Sequence, residues 1–211
     1  MLGFGMLKVW GRPTSIHVQK VMWAIGELGM NVERVDVGGP FGGLDTPEYG
    51  AMNPNRRIPT LEDDGVVLWE SNAIVRYLAA KFGAGHLLPR DPVERAIADQ
   101  WMDWQQTTLL DDMRIVFWGV VRTPAAERDH AAIDAAAARL RDVWARLDRH
   151  LSTRRWVAEN RFTMGDVPVG ALCHRWHALG VERAPLPHLT AWYERLQTRD
   201  AFREHVMIPL A

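Results

Sequence analysis

Asn53-Pro54-Asn55-Arg56-Arg57-Ile58-Pro59-Thr60-Leu61, followed after a short interval by Glu70-Ser71-Asn72-Ala73-Ile74, is the stretch around which this chain is organised. Two prolines bracket a basic pair, so the backbone ahead of Pro59 is held extended and cannot be helical. Asp63-Asp64-Gly65 reads as a hairpin turn between strands at 59–62 and 66–69, because Asp-Gly accepts the positive φ that a two-residue turn needs. Ser71 then reads as the N-cap of a helix in which Ile74, Tyr77, Leu78 and Phe82 recur at helical spacing. A strand that ends at an acid and runs into a hydroxyl at a helix N-terminus makes a small polar pocket. The free N–H groups and the helix dipole favour a carboxylate there, while Glu70 beside them favours an ammonium. Together these preferences suit the head of an amino acid.

Upstream of this stretch, Leu7-Lys8-Val9-Trp10 alternates as a strand and Gly11-Arg12-Pro13-Thr14-Ser15 is a turn carrying two hydroxyls. Val18, Val21, Met22, Ile25 and Leu28 follow at helical spacing, with Gly29 closing the helix. Residues 32–37 alternate again, so the chain opens β-α-β, which requires a right-handed crossover to a parallel neighbour. Residues 38–43 hold four Gly and a Pro and read as a flexible loop. The first 82 residues thus run βαβ, loop, ββα, an α/β order of the thioredoxin-like kind.

Residues 83–92, with two Gly and two Pro, read as a linker, and 93–211 as a second, all-α domain. Ile97, Trp101, Trp104, Leu109, Met113, Val116, Phe117 and Val120 form one long or bent helix. Thr123-Pro124 is expected to open the next, with Ile133, Leu140, Trp144, Leu147 and Leu151 on one side. Phe162-Thr163-Met164-Gly165-Asp166-Val167 has the spacing of a capping box, Thr163 to Asp166, and of a hydrophobic staple, Phe162 to Val167. That gives Asp166 a structural rather than a catalytic meaning. Pro168 close behind this cap departs from the simplest pattern. Residues 187–205 read as one or two short amphipathic helices.

Composition narrows the function classes. At 211 residues and 47% hydrophobic content the chain buries a substantial core. Lys and Arg number 25 against 26 for Asp and Glu, a net charge of -1, so no overall field draws it to nucleic acid or an anionic membrane. A single cysteine, Cys173, permits no disulfide within the chain, and no Cys/His cluster offers a metal site. A reducing cytoplasm is the simplest home. Residues 1–5 lack a basic n-region and a cleavable apolar core, and no apolar run approaches the roughly 20 residues that span a bilayer. Patterning begins at Leu7, which makes Met6 an alternative start.

Asn-Pro-x-x-x-Ile-Pro, a short hairpin and Glu-Ser-x-Ala-Ile together resemble the glutathione-binding half of the cytosolic glutathione S-transferase family, and the resemblance extends through nearly the whole chain. It implies a cis bond before Pro59, main-chain pairing of Ile58 with the cysteinyl part of glutathione, and the γ-glutamyl end held at Glu70 and Ser71. Glutathione would serve as co-substrate, with no metal. The Phe162–Val167 segment resembles the cap and staple that start the central helix of the family's second domain.

Glutathione reacts as its thiolate, and a thiol with an ordinary pKa of about 8.5 is mostly protonated at neutral pH. In the family a Tyr, Ser or Thr hydroxyl, or a Cys, near the end of the first strand or the start of the first helix assists. There is no Tyr before Tyr49 and no Cys before Cys173. The resemblance is therefore to the serine- or threonine-using bacterial, theta-like and nu-like members, and matching Lys20 and Glu27-Leu28-Gly29 to the family places Ser15 at the hydroxyl position. Thr14 is the alternate, one residue away in register. A hydroxyl donating to sulfur favours the anion, and the positive end of the helix adds to it.

Each of these residues also has a plain structural reading. A serine ahead of a helix is ordinarily only a cap, and Glu-Ser alone is an ordinary helix start. It is their co-occurrence with Ile58-Pro59 that points to a site. Arg56 and Arg57 would by default be a solvated pair, but their place in the Pro-bracketed corner suits the glycine carboxylate of glutathione, with Arg57 preferred. His17 reads first as a packed or surface histidine. Cys173 lies on an apolar stripe as inert core. Most of the ten Trp are expected to pack at helix or domain interfaces. Phe117 and Trp118 are candidates to line a hydrophobic substrate site, with Arg114 one turn away for an acidic substrate.

Two function classes fit these residues. The first is a detoxifying enzyme that joins glutathione sulfur to a hydrophobic electrophile, or uses it in isomerisation, dehalogenation or peroxide reduction. The second is a binding or assembly module of the same fold with little catalysis. A Ser15 that shares a pocket with Glu70 favours the enzyme, and one turned away favours the module. The resemblance further implies a homodimer.

Overall fold

The structure, a computed structural model, describes residues 7–158 and 160–211; the reading of the first six residues lies outside them. The N-terminal half runs β1 (Leu7–Trp10), α1 (Ile16–Glu27), β2 (Val32–Val35), α2 (Pro47–Met52), β3 (Thr60–Asp63), β4 (Val66–Trp69) and α3 (Ser71–Phe82). Its sheet has the order β2-β1-β3-β4. β1 pairs parallel with β2, Leu7 opposite Val32, and antiparallel with β3, Val9 opposite Leu61. This is the thioredoxin-like arrangement. The β3–β4 hairpin closes at Asp63 opposite Val66, and Asp64 and Gly65 between them take positive φ of 49° and 83°.

Several details of this half differ from the sequence reading, among them β3, which is shifted one residue from 59–62. β2 stops at Val35, two residues before the alternation does, and the 38–43 loop holds a short 3-10 turn at Gly39–Phe41. Helix α2 went unread because six residues are too few to display a period. Its start is nonetheless conventional, with Pro47 in the first turn and Thr46 Oγ1 accepting the Tyr49 N–H at 3.2 Å. Ser71 is not the N-cap of α3. The helix begins at Ser71 itself, Glu70 takes the cap position at φ 68°, and no side chain closes the end.

The C-terminal half consists of α4 (Pro92–Trp104), α5 (Leu110–Phe117), α6 (His130–Leu151), α7 (Asp166–Ala178), α8 (Pro187–Gln197) and α9 (Asp200–His205). Wide π turns at Gln105–Leu109 and Trp118–Arg122 join and extend α4 and α5 into the bent helix the apolar spacing predicts. Thr123-Pro124 ends that helix instead of opening the next: the Thr123 N–H returns to the Trp118 carbonyl at 2.9 Å. Asp129 caps α6 by accepting the Ala132 N–H, also at 2.9 Å. Among the described residues no helix is long and apolar enough to cross a membrane.

Asp166 knits the C-terminal half together. Its Oδ2 accepts the Thr163 N–H at 3.0 Å, one arm of the expected box, while Oδ1 accepts the Val157 N–H and the Trp192 indole N–H, both at 3.0 Å. The other arm differs, since Thr163 Oγ1 accepts from Gly165 at 3.3 Å and α7 begins only at Asp166. That later start accounts for Pro168. As third residue of the helix it lacks an amide hydrogen that would have had no partner within the helix. Burial pushes the Asp166 carboxyl up to about 6, against the pull of its three donors.

The two halves share one core through α1, which packs on α3 on its own side and on α7 and α9 of the other half. Trp23 of α1 is fully buried, with ring centroids 4.7 Å from Phe202 and 5.5 Å from Phe162. Gly170 of α7 faces it: a Cβ there would come within 2.9 Å of the Trp23 ring and 2.7 Å of Leu196, so a side chain cannot be accommodated without a shift. At the end of α1, Glu27 accepts two bonds from Arg199, at 2.7 and 2.5 Å.

Asp166→Ala removes the acceptor of three buried donors, each worth about 1–3 kcal/mol when left unpaired. Urea unfolding is expected to show a loss of about 3 kcal/mol or more. A midpoint within error of the parent would show that this carboxylate does not hold the 157–166 loop to α8.

Candidate functional site

A cavity of about 500 Å³ opens between the two halves, and the N-terminal ends of α1 and α3 both face it. From the first half it is lined by Thr14, Ser15, Arg57, Ile58, Pro59, Glu70 and Ser71, and from the second by Arg114, Phe117 and Trp118. Of the residues proposed from sequence, only Arg56 is absent from its wall.

The start of α1 decides the bland reading of Ser15. Ser15 holds the cap position with extended backbone (φ -75°, ψ 123°), yet its side chain makes no cap hydrogen bond. The residue is 8% exposed, and what is exposed borders the cavity. Gly11 lets the chain make this turn: at φ 152°, a Cβ would lie 2.5 Å from Val18 and 3.2 Å from Ile58. Thr14 also borders the cavity, and its carbonyl accepts from Arg175 at 3.2 Å.

The Pro-bracketed corner is held by Tyr49, which the sequence reading gave no role there, and by Asn53 at its start. The Arg57 carbonyl accepts from Tyr49 OH at 2.9 Å and from Asn53 Nδ2 at 2.7 Å, and Asn53 Oδ1 accepts the Asn55 N–H at 3.0 Å. The Ile58–Pro59 bond is cis. Ile58 makes no main-chain hydrogen bond among the described residues, so both its polar groups remain available. Arg56 sits at φ 50° and turns outward, donating to the carbonyls of Leu44 and Thr46, each at 2.9 Å. It braces the loop before α2, whereas Arg57 faces the cavity.

At the other edge, Glu70 is exposed to the cavity at φ 68°, a backbone state costly for a residue with a side chain. Ser71 Oγ lies 3.3 Å from His17 Nδ1, which ties the start of α3 to the start of α1. Burial, followed by Lys20, Arg175 and Arg57, holds His17 down to about 3, so this imidazole is neutral at working pH. Beneath it Lys20 is fully buried, donating to Asn72 Oδ1 at 2.8 Å and Gln105 Oε1 at 3.3 Å. Burial lowers its ammonium to about 7, with Glu70 pulling it back up. Cys173 is buried, and burial pushes its thiol far up.

The second half supplies the aromatic wall. Phe117 is buried, Trp118 is 54% exposed, and Arg114 is exposed and paired with Asp111 at 3.3 Å. Arg12, Arg122 and Arg175 also line the cavity. None has a sequence signal: Arg12 reads as a turn residue, Arg122 as a helix end, and Arg175 as the neighbour of the buried Trp176.

The model of the N-terminal domain of glutathione S-transferases matches residues 5–80, and that of the C-terminal domain matches residues 131–195. Glutathione S-transferase GstB of Escherichia coli K12 is 40% identical over 208 residues, 98% of this chain and 100% of its own. The chain belongs to the glutathione S-transferase family. A theta-class member from Xanthomonas axonopodis pv. citri, solved with glutathione bound, superposes with a TM-score of 0.94 at 48% identity, covering 97% of this chain and 99% of its own. Glutathione S-transferase 3 of Zea mays is 32% identical over 216 residues, 97% of this chain and 95% of its own. The similarity thus spans both halves, between which the cavity lies.

The different placing of the two neighbouring arginines is directly testable. Arg57→Ala is expected to weaken glutathione binding about tenfold or more by calorimetry, since a charge-assisted bond is worth about 1.5–3 kcal/mol. Arg56→Ala should leave affinity within about twofold and lower thermal stability instead, because it unties two loop carbonyls. The reverse pattern would exchange their roles.

Proposed function

We propose that this protein is a glutathione S-transferase that activates the glutathione thiol with Ser15 and joins its sulfur to an electrophile. The observation that carries the reading is that Ser15 stands at the positive end of α1 with its hydroxyl not spent on capping and open to the cavity. Glutathione fits the groups around it. The first N–H groups of α3, with Ser71, suit the γ-glutamyl carboxylate, and Glu70 suits its ammonium. The unpaired main chain of Ile58 suits the cysteinyl unit, and Arg57 the glycine carboxylate. That order brings the sulfur toward Ser15, where a donated hydrogen bond and the helix dipole both favour thiolate. His17, neutral at working pH, contributes no charge. Thr14 is the alternate donor.

Phe117 and Trp118, with Arg114 near the rim, form the wall for the second substrate, and detoxification of electrophiles is the role this suits. The binding-module alternative loses ground because Ser15, Glu70 and Ser71 open onto one cavity and not onto opposite faces. We place the domain division at 1–82, 83–92 and 93–211, in keeping with the interval between α3 and α4. A cytoplasmic location accords with the single, buried cysteine. A two-fold homodimer is supported by the edge strand β4, whose Val66, Val67 and Trp69 are exposed, an unusual amount of apolar surface for an unpaired edge.

Ser15→Ala should raise the apparent pKa of bound glutathione and lower turnover at neutral pH by about 2–4 kcal/mol of transition-state stabilisation, with little change in glutathione affinity. Turnover unchanged by Ser15→Ala but collapsed by Thr14→Ala would move the role one residue. Sedimentation at micromolar concentration should give about 48 kDa, twice the chain mass of 24.0 kDa. A monomer that turns over glutathione would show the site to be complete in one chain.

A further inference from the structure

The cavity is lined by six cationic side chains, Arg12, Lys20, Arg57, Arg114, Arg122 and Arg175, against one carboxylate, Glu70. Two of the cations are already satisfied: Lys20 by neutral amides and Arg114 by Asp111. Arg57 is taken up by glutathione in the reading above. The remaining three cluster beside the aromatic wall.

Arg175 is the most constrained of them. It is 7% exposed, makes no ion pair among the described residues, and leaves its Nε without a hydrogen-bond partner. Its one bond runs to the Thr14 carbonyl, and its guanidinium lies 4.1 Å from the centroid of the Phe117 ring. Arg12 makes no side-chain hydrogen bond among the described residues. Arg122 is exposed, donates to the Ala211 carbonyl at 2.9 Å, and sits 5.3 and 5.1 Å from the ring centroids of Phe117 and Trp118. The three are near enough that Arg122 and Arg12, after burial itself, bring Arg175 down to about 9. Like charges gathered in a part-buried site are costly, and an anion entering between them relieves that cost. A guanidinium with free N–H groups beside an aromatic ring is suited to a carboxylate on a flat apolar body.

Taking the transferase reading as given, we propose that the electrophile carries a carboxylate, held by Arg175 with Arg12 and Arg122 while Phe117 and Trp118 flank its apolar part. For an aryl halide the step balances simply. The thiolate attacks the ring carbon bearing the halogen, the sulfur–carbon bond forms, and the halide leaves with the electrons of the carbon–halogen bond. The thiol proton has gone to solvent beforehand, and the carboxylate is unchanged.

The test compares 4-chloro-3,5-dinitrobenzoate with its primary amide, which share reacting carbon and leaving group and differ in charge. Each kcat/KM is divided by the uncatalysed rate constant with glutathione, and the carboxylate-to-amide ratio is the readout. The parent enzyme is expected to favour the carboxylate about tenfold or more, R175M to lower that ratio about ten- to a hundredfold, and R122Q to lower it severalfold. R122Q lies at the surface, so it and the parent ratio decide the matter if R175M does not fold. A parent ratio at or below one, with the amide turned over, overturns this inference and leaves the transferase reading standing. A ratio unmoved by either variant, with the KM for glutathione raised alike for both electrophiles, also overturns it, because the anion held is then glutathione's own. Absence of glutathione binding by calorimetry overturns both.

Discussion

The burial of α1 on two sides is the constraint from which the rest of the molecule follows. A helix packed against a sheet ordinarily keeps one face for water, but here Val18, Val21 and Ile25 are buried along with Gln19, Lys20 and Trp23. Trp23 completes the aromatic core of the other half, and full burial of such a side chain is worth about 3–5 kcal/mol against truncation to alanine. The helix is also tied at both ends, by Glu27 to Arg199 and by the Thr14 carbonyl to Arg175. A cleft between two domains would otherwise be free to shear. With α1 common to both cores, the hydroxyl at its start is fixed relative to the aromatic wall supplied by the helical half.

The same burial accounts for the unusual charges around the cavity. Lys20 enters the interior because α1 is covered on the side where a surface lysine would stand, and amide oxygens from α3 and the π turn after α4 receive it. Asp166 is equally buried and is received by three N–H donors. Both show how this chain stabilises an interior charge, by surrounding it with neutral hydrogen-bonding groups. Arg175 lacks such a shell: beyond the bond by which it ties the Thr14 carbonyl, its Nε has no partner, which leaves the guanidinium able to take a ligand as well.

The fold was legible where elements are long and one-sided, and where turn chemistry is explicit. The β3–β4 hairpin followed from Asp64-Gly65, and the bent α4–α5 helix from its apolar spacing. That Ile58-Pro59 and Glu70-Ser71 would meet at one cavity was legible because each pair is local in sequence. Legibility failed where local and tertiary preferences compete. Thr123-Pro124 has the form of a helix start, but the chain uses it to stop one, since Asp129 offers a better-placed cap. Arg56 and Arg57 are alike in type and adjacent, so sequence supports only a slight preference for Arg57; in the fold Arg56, at positive φ, turns outward and Arg57 faces the cavity. Arg12, Arg122 and Arg175 were invisible because the residues that bring them together are far apart in the chain.

The starts of α1 and α3 contrast with those of α2, α4 and α6. Thr46, Asp91 and Asp129 cap α2, α4 and α6 with their own side chains, each satisfying N–H groups of a first turn away from the cavity. At α1 and α3, whose starts face the cavity, residues of capping type are present but make no cap bond. Ser15 withholds its hydroxyl, and Ser71 lies one position inside the helix with its hydroxyl near His17. Omitting a cap costs about 0.5–2 kcal/mol per helix, and Glu70 adds the strain of a positive φ. The stability given up at both ends leaves two positively polarised helix starts and two hydroxyls on one cavity, an arrangement that favours anionic groups.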